Sequence, residues 1–295
     1  MFEKILVPLD GSKLARQVFP HVVELTRASD SKVILIGICE PDESEYGQVC
    51  RLYIGGEAEK LRQDMGAGSR VSIKTEVLVG KSADEILGYA DRSDVDLIVM
   101  VSHGRSGIMP WSLGSTVTKV LHRVNIPLLI VRAKEKPLES DRVGLFSKIL
   151  IPLDGSEASM RVLAYVVEIT KRVESEVTLL QVVPSGKHVH TVGGLDFVKF
   201  IDLDISRVKE KAQNYLDRAG AEFAGTKAKL KTELRLGDAR REIINYARNT
   251  DCRLIAMASH GYSSFERWVH GSISYNILQA GEKSALIVSL LGAAR

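Results

Sequence analysis

The sequence has few cysteines and little net charge. Its 295 residues include three cysteines, Cys39, Cys50 and Cys252, which form no C-x-x-C pair and match no zinc-ligand spacing. We expect them to be small apolar side chains in or near the core of a protein in a reducing compartment. The formal net charge is +3, which is too small and too scattered to indicate a nucleic acid or an anionic membrane as the main partner.

The sequence also lacks long apolar runs and a signal-peptide pattern. Runs such as Leu97–Val101 are far shorter than a membrane span. The first eight residues, MFEKILVP, are typical of the start of a buried strand and not of a secretory signal. We therefore expect a cytoplasmic protein that does not interact with membranes, with a length that suits about two domains of roughly 150 residues each.

An internal repeat dominates the sequence. KILVPLDGS at residues 4–12 recurs as KILIPLDGS at 148–156, and Ser102-His103-Gly104 recurs as Ser259-His260-Gly261. The repeat starts at residue 4 and again at residue 148, so each copy has the length of a whole domain and not of a solenoid unit. The pattern predicts one domain at residues 1–133, a linker at 134–146 and a second domain at 147–295.

Each copy alternates apolar runs with helical stretches, which predicts an α/β fold. Several runs are continuously apolar, as in strands covered on both faces. Alternating βα units indicate two tandem doubly wound domains, each with a parallel sheet, right-handed crossovers and helices on both faces. The predicted helices include 12–29 and 53–66. Ligands of such folds bind beyond the carboxyl ends of the strands, where the strand order reverses.

The loop after the first strand carries an aspartate in both copies, Asp10 and Asp154. An aspartate there can accept hydrogen bonds from a ribose hydroxyl or an adenine amine. It can equally cap the following helix, with glycine supplying the tight turn. The residues leave both roles open for the aspartates, whereas capping is favoured for Ser12 and Ser156.

Two further loops recur with a fixed spacing. Ser-His-Gly follows the fourth strand, and nine residues after its glycine comes Gly114-Ser115-Thr116-Val117 or Gly271-Ser272-Ile273-Ser274. A Gly-Ser pair that opens a helix presents unpaired amides and a positive dipole end, both of which favour an anion. The spacing, present twice, favours a phosphate site over an ordinary serine cap.

Taken together, P-x-D-G-S, S-H-G and G-S after nine residues resemble the universal stress protein family in both copies. The resemblance implies a five-stranded sheet in the order 3-2-1-4-5 and a bound adenine nucleotide, ATP or AMP, in a regulatory stress-response protein. It also implies nucleotide contacts, which in the first copy are Pro8, Asp10, Ile38, Met100, His103, Gly104, Gly114, Ser115, Thr116 and Val117. In the second copy they are Pro152, Asp154, Val182, Met257, His260, Gly261, Gly271, Ser272, Ile273 and Ser274.

The copies depart from the family pattern in places. The first glycine of the G-x-x-G motif is Val101 in one copy and Ala258 in the other, and Ser264 replaces Gly107. The two pockets therefore need not bind alike. The family pairs domains through strand five, so the resemblance implies an intramolecular pseudo-dimer and leaves a homodimer possible.

Other motifs carry less weight. Gly80-Lys81-Ser82 looks like the end of a P-loop, but Thr75 stands where that motif needs a glycine, so we expect Ser82 and Glu85 to form a capping box. No G-x-S-x-G elbow or metal-ligand cluster accompanies the histidines. One alternative function is a protein-interaction module that binds no nucleotide. A second is a slow ATPase, which binds nucleotide and whose Mg²⁺ is held mainly by phosphates.

Overall fold

The computed structural model describes residues 2–27, 30–39, 47–104, 113–134, 144–184, 205–259, 272–280 and 283–289. Its strands are β1 Lys4–Leu9, β2 Lys32–Cys39, β3 Ser72–Val79, β4 Leu97–Val101, β5 Leu128–Val131, β6 Lys148–Leu153, β7 Ser175–Val183, β8 Ala228–Leu236, β9 Leu254–Ala258 and β10 Ser284–Val288. Its α-helices are α1 Phe19–Thr26, α2 Gly47–Met65, α3 Ser82–Arg92, α4 Ser115–Arg123, α5 Glu157–Arg172, α6 Ile205–Ala221, α7 Ala239–Asn249 and α8 Ser272–Ala280.

All ten strands join one sheet in the order β3-β2-β1-β4-β5-β10-β9-β6-β7-β8. Each half has the order 3-2-1-4-5 with parallel neighbours, which confirms the predicted fold. The halves meet where β5 and β10 pair antiparallel, with Leu129 opposite Leu286. This pairing covers one edge of each five-stranded unit, so that β3 and β8 are the outer edges.

The sheet separates two layers of core. Ile5 and Val7 of β1 pack with α1 and α2 on one face, and Leu6 packs with α3 and α4 on the other. Each layer continues across the β5–β10 seam into the second half, since one cluster contains both Val7 and Ile151 and the other contains both Leu6 and Leu150. The strands bury side chains on both faces, which explains why their sequences are continuously apolar.

The first helical segment differs from the predicted single helix at 12–29. A 3₁₀ turn, Ala15–Val18, precedes α1, which begins at Phe19. Pro20 lies in the first turn of α1, where its missing amide and fixed φ are tolerated, so the proline marks the start of the α-helix. The second helix starts at Gly47 and not at residue 53. Within the described residues, no helix combines the length and apolarity needed to cross a membrane.

Two side chains of this first segment bind the backbone at the ends of the predicted linker. Gln17 Nε2 donates to Lys134 O (2.6 Å), and Lys134 N donates to Gln17 Oε1 (2.9 Å). At the other end, Leu145 N donates to Glu24 Oε2 (2.9 Å). Burial raises the pKa of Glu24, and the backbone bonds to the Leu145 and Phe146 amides oppose that rise. Residues 135–143 lie outside the described part of the chain.

Candidate functional site

A cavity of about 320 Å³ opens at the carboxyl ends of β1 and β4. This is where the strand order reverses and where doubly wound folds bind ligands. All of the contacts that the resemblance implies for the first copy line the cavity. They are Pro8, Asp10, Ile38, Met100, His103, Gly104, Gly114, Ser115, Thr116 and Val117. Three loops distant in sequence thus converge on one space.

Asp10 shapes the loop after β1. Ser12 N donates to Asp10 Oδ1 (2.9 Å), and Gly11 adopts a φ of 84° that favours glycine. Ala15 N donates to Ser12 Oγ (3.2 Å) at the start of the 3₁₀ turn. The N-cap position of this turn is Leu14, so Ser12 binds the first turn without being its N-cap residue. One carboxylate oxygen of Asp10 therefore fixes the turn, and the residue also lies on the cavity wall.

Gly104 brings the Ser-His-Gly loop against the β1 loop. A β-carbon on Gly104 would overlap Oδ2 of Asp10, so only glycine allows this approach without movement. The same loop contacts the start of α4, because Gly114 N donates to Ser102 O (2.8 Å). The three loops are therefore in direct contact around the cavity.

His103 lies on the cavity wall and is 2% exposed. Its Nδ1 lies 3.1 Å from Ser102 Oγ, and Ser102 Oγ accepts a hydrogen bond from Ala133 N (3.0 Å). Burial, and then the positive charge of Arg132, lower the pKa of His103 below its usual 6.5. The imidazole is therefore neutral at pH 7 and can donate one hydrogen bond and accept another.

Helix α4 begins at the cavity. Gly114 is its N-cap, with φ −57° and ψ 150°, and no side chain caps the first turn. Ser115 and Thr116, the first two residues of the helix, line the cavity. Uncapped amides at the positive end of a helix form a ready site for an anion such as phosphate. Among the described lining residues, Asp10 is the only carboxylate, and none is lysine or arginine.

Comparison with known proteins gives the same assignment as the motifs. Residues 1–132 and 145–289 each match the model of the universal stress protein family. The chain belongs to this family. A universal stress protein of Methanocaldococcus jannaschii is 30% identical over 145 residues, which is 46% of this chain and 85% of that protein. One of Mycobacterium bovis is 19% identical over 253 residues, 85% of this chain and 78% of that protein.

A solved structure shares the tandem architecture. The crystal structure of a universal stress protein from Archaeoglobus fulgidus has a TM-score of 0.68 and 19% identity, and the match covers 98% of this chain and 99% of that one. At this identity the likeness concerns the fold. It shows that the arrangement of two universal stress protein domains in one chain is shared with a solved member.

Five further residues line the cavity: Leu9, Ala15, Ser82, Ile86 and Val101. The predicted capping box at Ser82 is wrong, because the N-cap of α3 is Lys81, which makes no side-chain cap bond. Lys81 has the extended backbone of a cap residue (ψ 123°), so Ser82 is already the first helical residue. Ser82 follows shortly after the end of β3. Because parallel strands end at the same edge of the sheet, this place in the sequence indicates that Ser82 lies near the cavity.

Val101 occupies the position of the family's first motif glycine. Its side chain is 8% exposed and packs in the core layer that contains α1 and α2, while it also borders the cavity. The valine therefore forms an apolar part of the wall at the end of β4. We predict that a side chain at this position crowds the ligand, and that valine does so more than the alanine at residue 258.

The described part of the second copy places its site residues at the corresponding ends of β6, β7, β9 and α8. Ser156 N and Ser156 Oγ both donate to Asp154 Oδ1 (3.0 and 2.6 Å), and Ser156 caps α5 as predicted. Ser274 Oγ donates to Ala258 O (3.1 Å). Pro152 and Val182 are half-buried, Met257 is buried, and Ile273 is exposed. His260, Gly261, Gly271 and the side chain of Ser272 lie outside the described residues.

Proposed function

We propose that the cavity of the first copy binds an adenine nucleotide, ATP or AMP, and that occupancy regulates a cytoplasmic stress-response protein. The observation that carries this proposal is the convergence of the three repeated loops on one cavity. Its volume of about 320 Å³ is at the lower end of the usual range for small-molecule sites. Membership of the universal stress protein family supports the regulatory role.

The cavity walls suggest how a nucleotide would be held. The amides of Ser115 and Thr116 would donate to phosphate oxygens at the start of α4. Asp10 would accept from ribose hydroxyls or the adenine amine, and Ile38 and Met100 would contact the base. Among the described residues, no three His, Cys, Asp or Glu side chains could hold a metal ion together. Mg²⁺ would therefore arrive with ATP and be coordinated mainly by phosphates and water.

We propose a second, unequal site in the second copy, through Asp154 and the start of α8. The copies differ at Val101 and Ala258, so equal affinities are not expected. We further propose that the two copies form an intramolecular pseudo-dimer across the β5–β10 seam, which the antiparallel pairing supports. Light scattering during size-exclusion chromatography distinguishes such a monomeric chain from a homodimer.

A proline at residue 115 tests the phosphate site. Gly114 has the extended ψ of 150° that suits a residue before proline, and proline is favoured at the first helical position. In a Ser272→Pro background, which removes the first amide of the proposed second site, Ser115→Pro should keep the fold but remove one amide and one hydroxyl donor. Each hydrogen bond to a charged group contributes about 1.5–3 kcal/mol, so affinity for AMP should fall at least about tenfold.

Two controls complete the experiment. Ser115→Ala removes the hydroxyl alone, and Ala239→Pro places a proline at the first residue of α7, after an extended cap residue (ψ 121°). Calorimetry should show a small loss for the first control and none for the second. Unchanged AMP affinity in Ser115→Pro, with an intact fold, would show that α4 does not hold the phosphate.

Calorimetry and native mass spectrometry of the wild-type protein decide between the wider alternatives. Absence of co-purified nucleotide and of any binding heat for ATP, ADP and AMP would leave the protein-interaction module as the function. Release of phosphate from ATP that disappears in Ser115→Pro would identify a slow ATPase. Binding without hydrolysis is the expected result.

A further inference from the structure

Ser102 is a fully buried hydroxyl immediately after β4, beside the histidine of the cavity. We propose that Ser102 is a positioning residue that holds His103 neutral with its ring proton on Nε2, so that the imidazole donates a hydrogen bond to the bound nucleotide. The donor part of this inference rests on the proposed function. The positioning part concerns the protein without ligand and is tested separately.

The argument begins with the hydroxyl of Ser102, which has one proton and two acceptor lone pairs. Ala133 N donates to Oγ at 3.0 Å and occupies one lone pair. The hydroxyl proton then needs an acceptor, because an unsatisfied buried donor costs about 1–3 kcal/mol. Within the described residues, the hydrogen-bonding partner of Ser102 Oγ that can accept this proton is His103 Nδ1, at 3.1 Å.

This arrangement determines the tautomer of His103. A nitrogen that accepts a hydrogen bond carries no proton, so the single ring proton of a neutral imidazole must be on Nε2. The surroundings favour the neutral ring, since burial and the charge of Arg132 both lower the pKa of His103. His103 would then act as a hydrogen-bond donor without carrying a charge.

The backbone that Ser102 binds is held on both sides. Arg132 N donates to Ser284 Oγ of the second copy (3.0 Å), and Lys134 N donates to Gln17 Oε1 (2.9 Å). The Ala133 amide therefore points at Ser102 from a fixed position. Because that bond fixes the acceptor side of the hydroxyl, the proton of Ser102 is directed towards His103.

The second copy offers a matched control. Ser259 follows β9, and its amide donates to Val288 O (2.9 Å) as that of Ser102 donates to Val131 O (2.8 Å). Ser259→Ala makes the same chemical change at the equivalent place in the second copy. It should leave both His103 and the first cavity unaffected.

Nitrogen NMR of ¹⁵N-histidine-labelled, ligand-free protein tests the tautomer. The signals of His103 are assigned by their loss in His103→Gln. In the wild type and in Ser259→Ala we expect a protonated Nε2 and an unprotonated Nδ1. In Ser102→Ala, with the fold checked by circular dichroism, the two tautomers should exchange. A protonated Nδ1 in the wild type, or an unchanged tautomer in Ser102→Ala, would overturn the positioning role.

Two substitutions of His103 test the donor role. Glutamine places its amide nitrogen near the position of Nε2, and asparagine near that of Nδ1. The affinities are measured in a Ser272→Pro background, which removes the first amide of α8 and so disables the proposed second site. There, AMP affinity should stay within about threefold for His103→Gln. It should fall about tenfold for His103→Asn, the ratio that one hydrogen bond produces. For Ser102→Ala it should fall only about twofold, because exchange between the two tautomers leaves about half of the protein with the proton on Nε2.

The outcomes separate the two proposals. Equal AMP affinities for the glutamine and asparagine variants, with a wild type that binds, would overturn the donor role alone. A wild-type protein that does not bind AMP would overturn the proposed function and the donor role with it. The NMR result would still decide whether Ser102 sets the tautomer of His103.

Discussion

Gly104 lies so close to Asp10 that a β-carbon at residue 104 would overlap the Asp10 carboxylate. The two residues end different strands, β4 and β1, that are neighbours in the sheet. This contact brings the Ser-His-Gly loop and the aspartate loop to one side of the cavity. It also favours glycine at residue 104, where no unusual φ requires one.

Gly104→Ala should move the Asp10 carboxylate and disturb the cavity. Overpacking of this kind typically costs about 1–3 kcal/mol of unfolding free energy. We expect AMP affinity to fall at least about tenfold, since Asp10 is a proposed contact. Urea unfolding and calorimetry measure the two effects.

Two variants serve as controls for Gly104→Ala. Gly56 lies in α2 with nothing within 4 Å of an added β-carbon, so Gly56→Ala should raise the unfolding free energy by about 0.5–1 kcal/mol. Asp10→Ala removes the overlap but also the hydrogen bond to Ser12 N, so Gly104→Ala is compared with the wild type and the double variant with Asp10→Ala alone. Gly104→Ala should cost less unfolding free energy in the Asp10→Ala background, while AMP affinity stays low in both. An equal cost in the two backgrounds would show that the overlap is not the cause.

Tyr215 of α6 lies near Asp154 and Tyr53 of α2 lies near Asp10, but the two hydroxyls differ in their partners. Tyr215 Oη donates to Ser156 O (2.8 Å) and lies 2.8 Å from Ser159 Oγ. Tyr53 Oη is buried, and no described residue is in hydrogen-bonding geometry with it. Burial and the charge of Glu57 raise the pKa of Tyr53 to about 12.

Tyr215→Phe should therefore destabilise the protein more than Tyr53→Phe. Loss of a satisfied buried hydroxyl costs about 0.5–1.5 kcal/mol, whereas removal of an unsatisfied one is neutral or stabilising. Chemical unfolding of both variants, with fluorescence or circular dichroism, measures the difference. Equal losses would mean that Tyr53 finds a partner in solution.

The stability contributed by Glu24 should depend on pH. Its folded-state pKa is raised by burial above the usual 4.5, so the folded protein binds this proton more readily than the unfolded chain does. The contribution is then complete below pH 4.5 and is lost as the pH rises through the folded-state pKa.

Glu24→Gln removes that titration while keeping an acceptor for Leu145 N. We expect the unfolding free energy of the wild type, relative to Glu24→Gln, to increase as the pH falls from 7 towards 4.5. Glu168→Gln, at the equivalent place in the second copy, should show the opposite trend at lower pH: the unfolding free energy of the wild type, relative to this variant, should decrease as the pH falls below 4.5. The ion pairs of Glu168 with Arg172 and Lys171 outweigh the effect of burial and lower its pKa. A pH-independent difference for Glu24→Gln would contradict the buried carboxylate.

Gln17→Glu tests the attachment of the linker. The glutamine donates to Lys134 O and accepts from Lys134 N, but a carboxylate can only accept. The variant should lose about 1 kcal/mol of unfolding free energy at pH 7. Hydrogen exchange at the Lys134 amide should show little change, because that bond remains. Gln17→Ala, which loses both bonds, should accelerate exchange there.

Much of the fold and of the candidate site could be predicted from local patterns. Continuous apolar runs mark the strands because both sheet faces are covered, and the apolar run Leu97–Val101 is β4. Repetition distinguished the loops around Asp10 and Gly114 from the P-loop look-alike at Gly80. Because parallel strands end at one edge of a sheet, residues after β1 and β4 could be expected to meet.

Contacts between distant segments were decided only by the tertiary structure. The approach of Ser82 to the cavity and the bond between Ser102 and Ala133 depend on how helices and strand ends pack. The sequence by itself determined two α/β units with matching loops, because strand and helix periodicity are local properties. The partners of Tyr53 and Tyr215 depend on packing between helices, which no local pattern encodes.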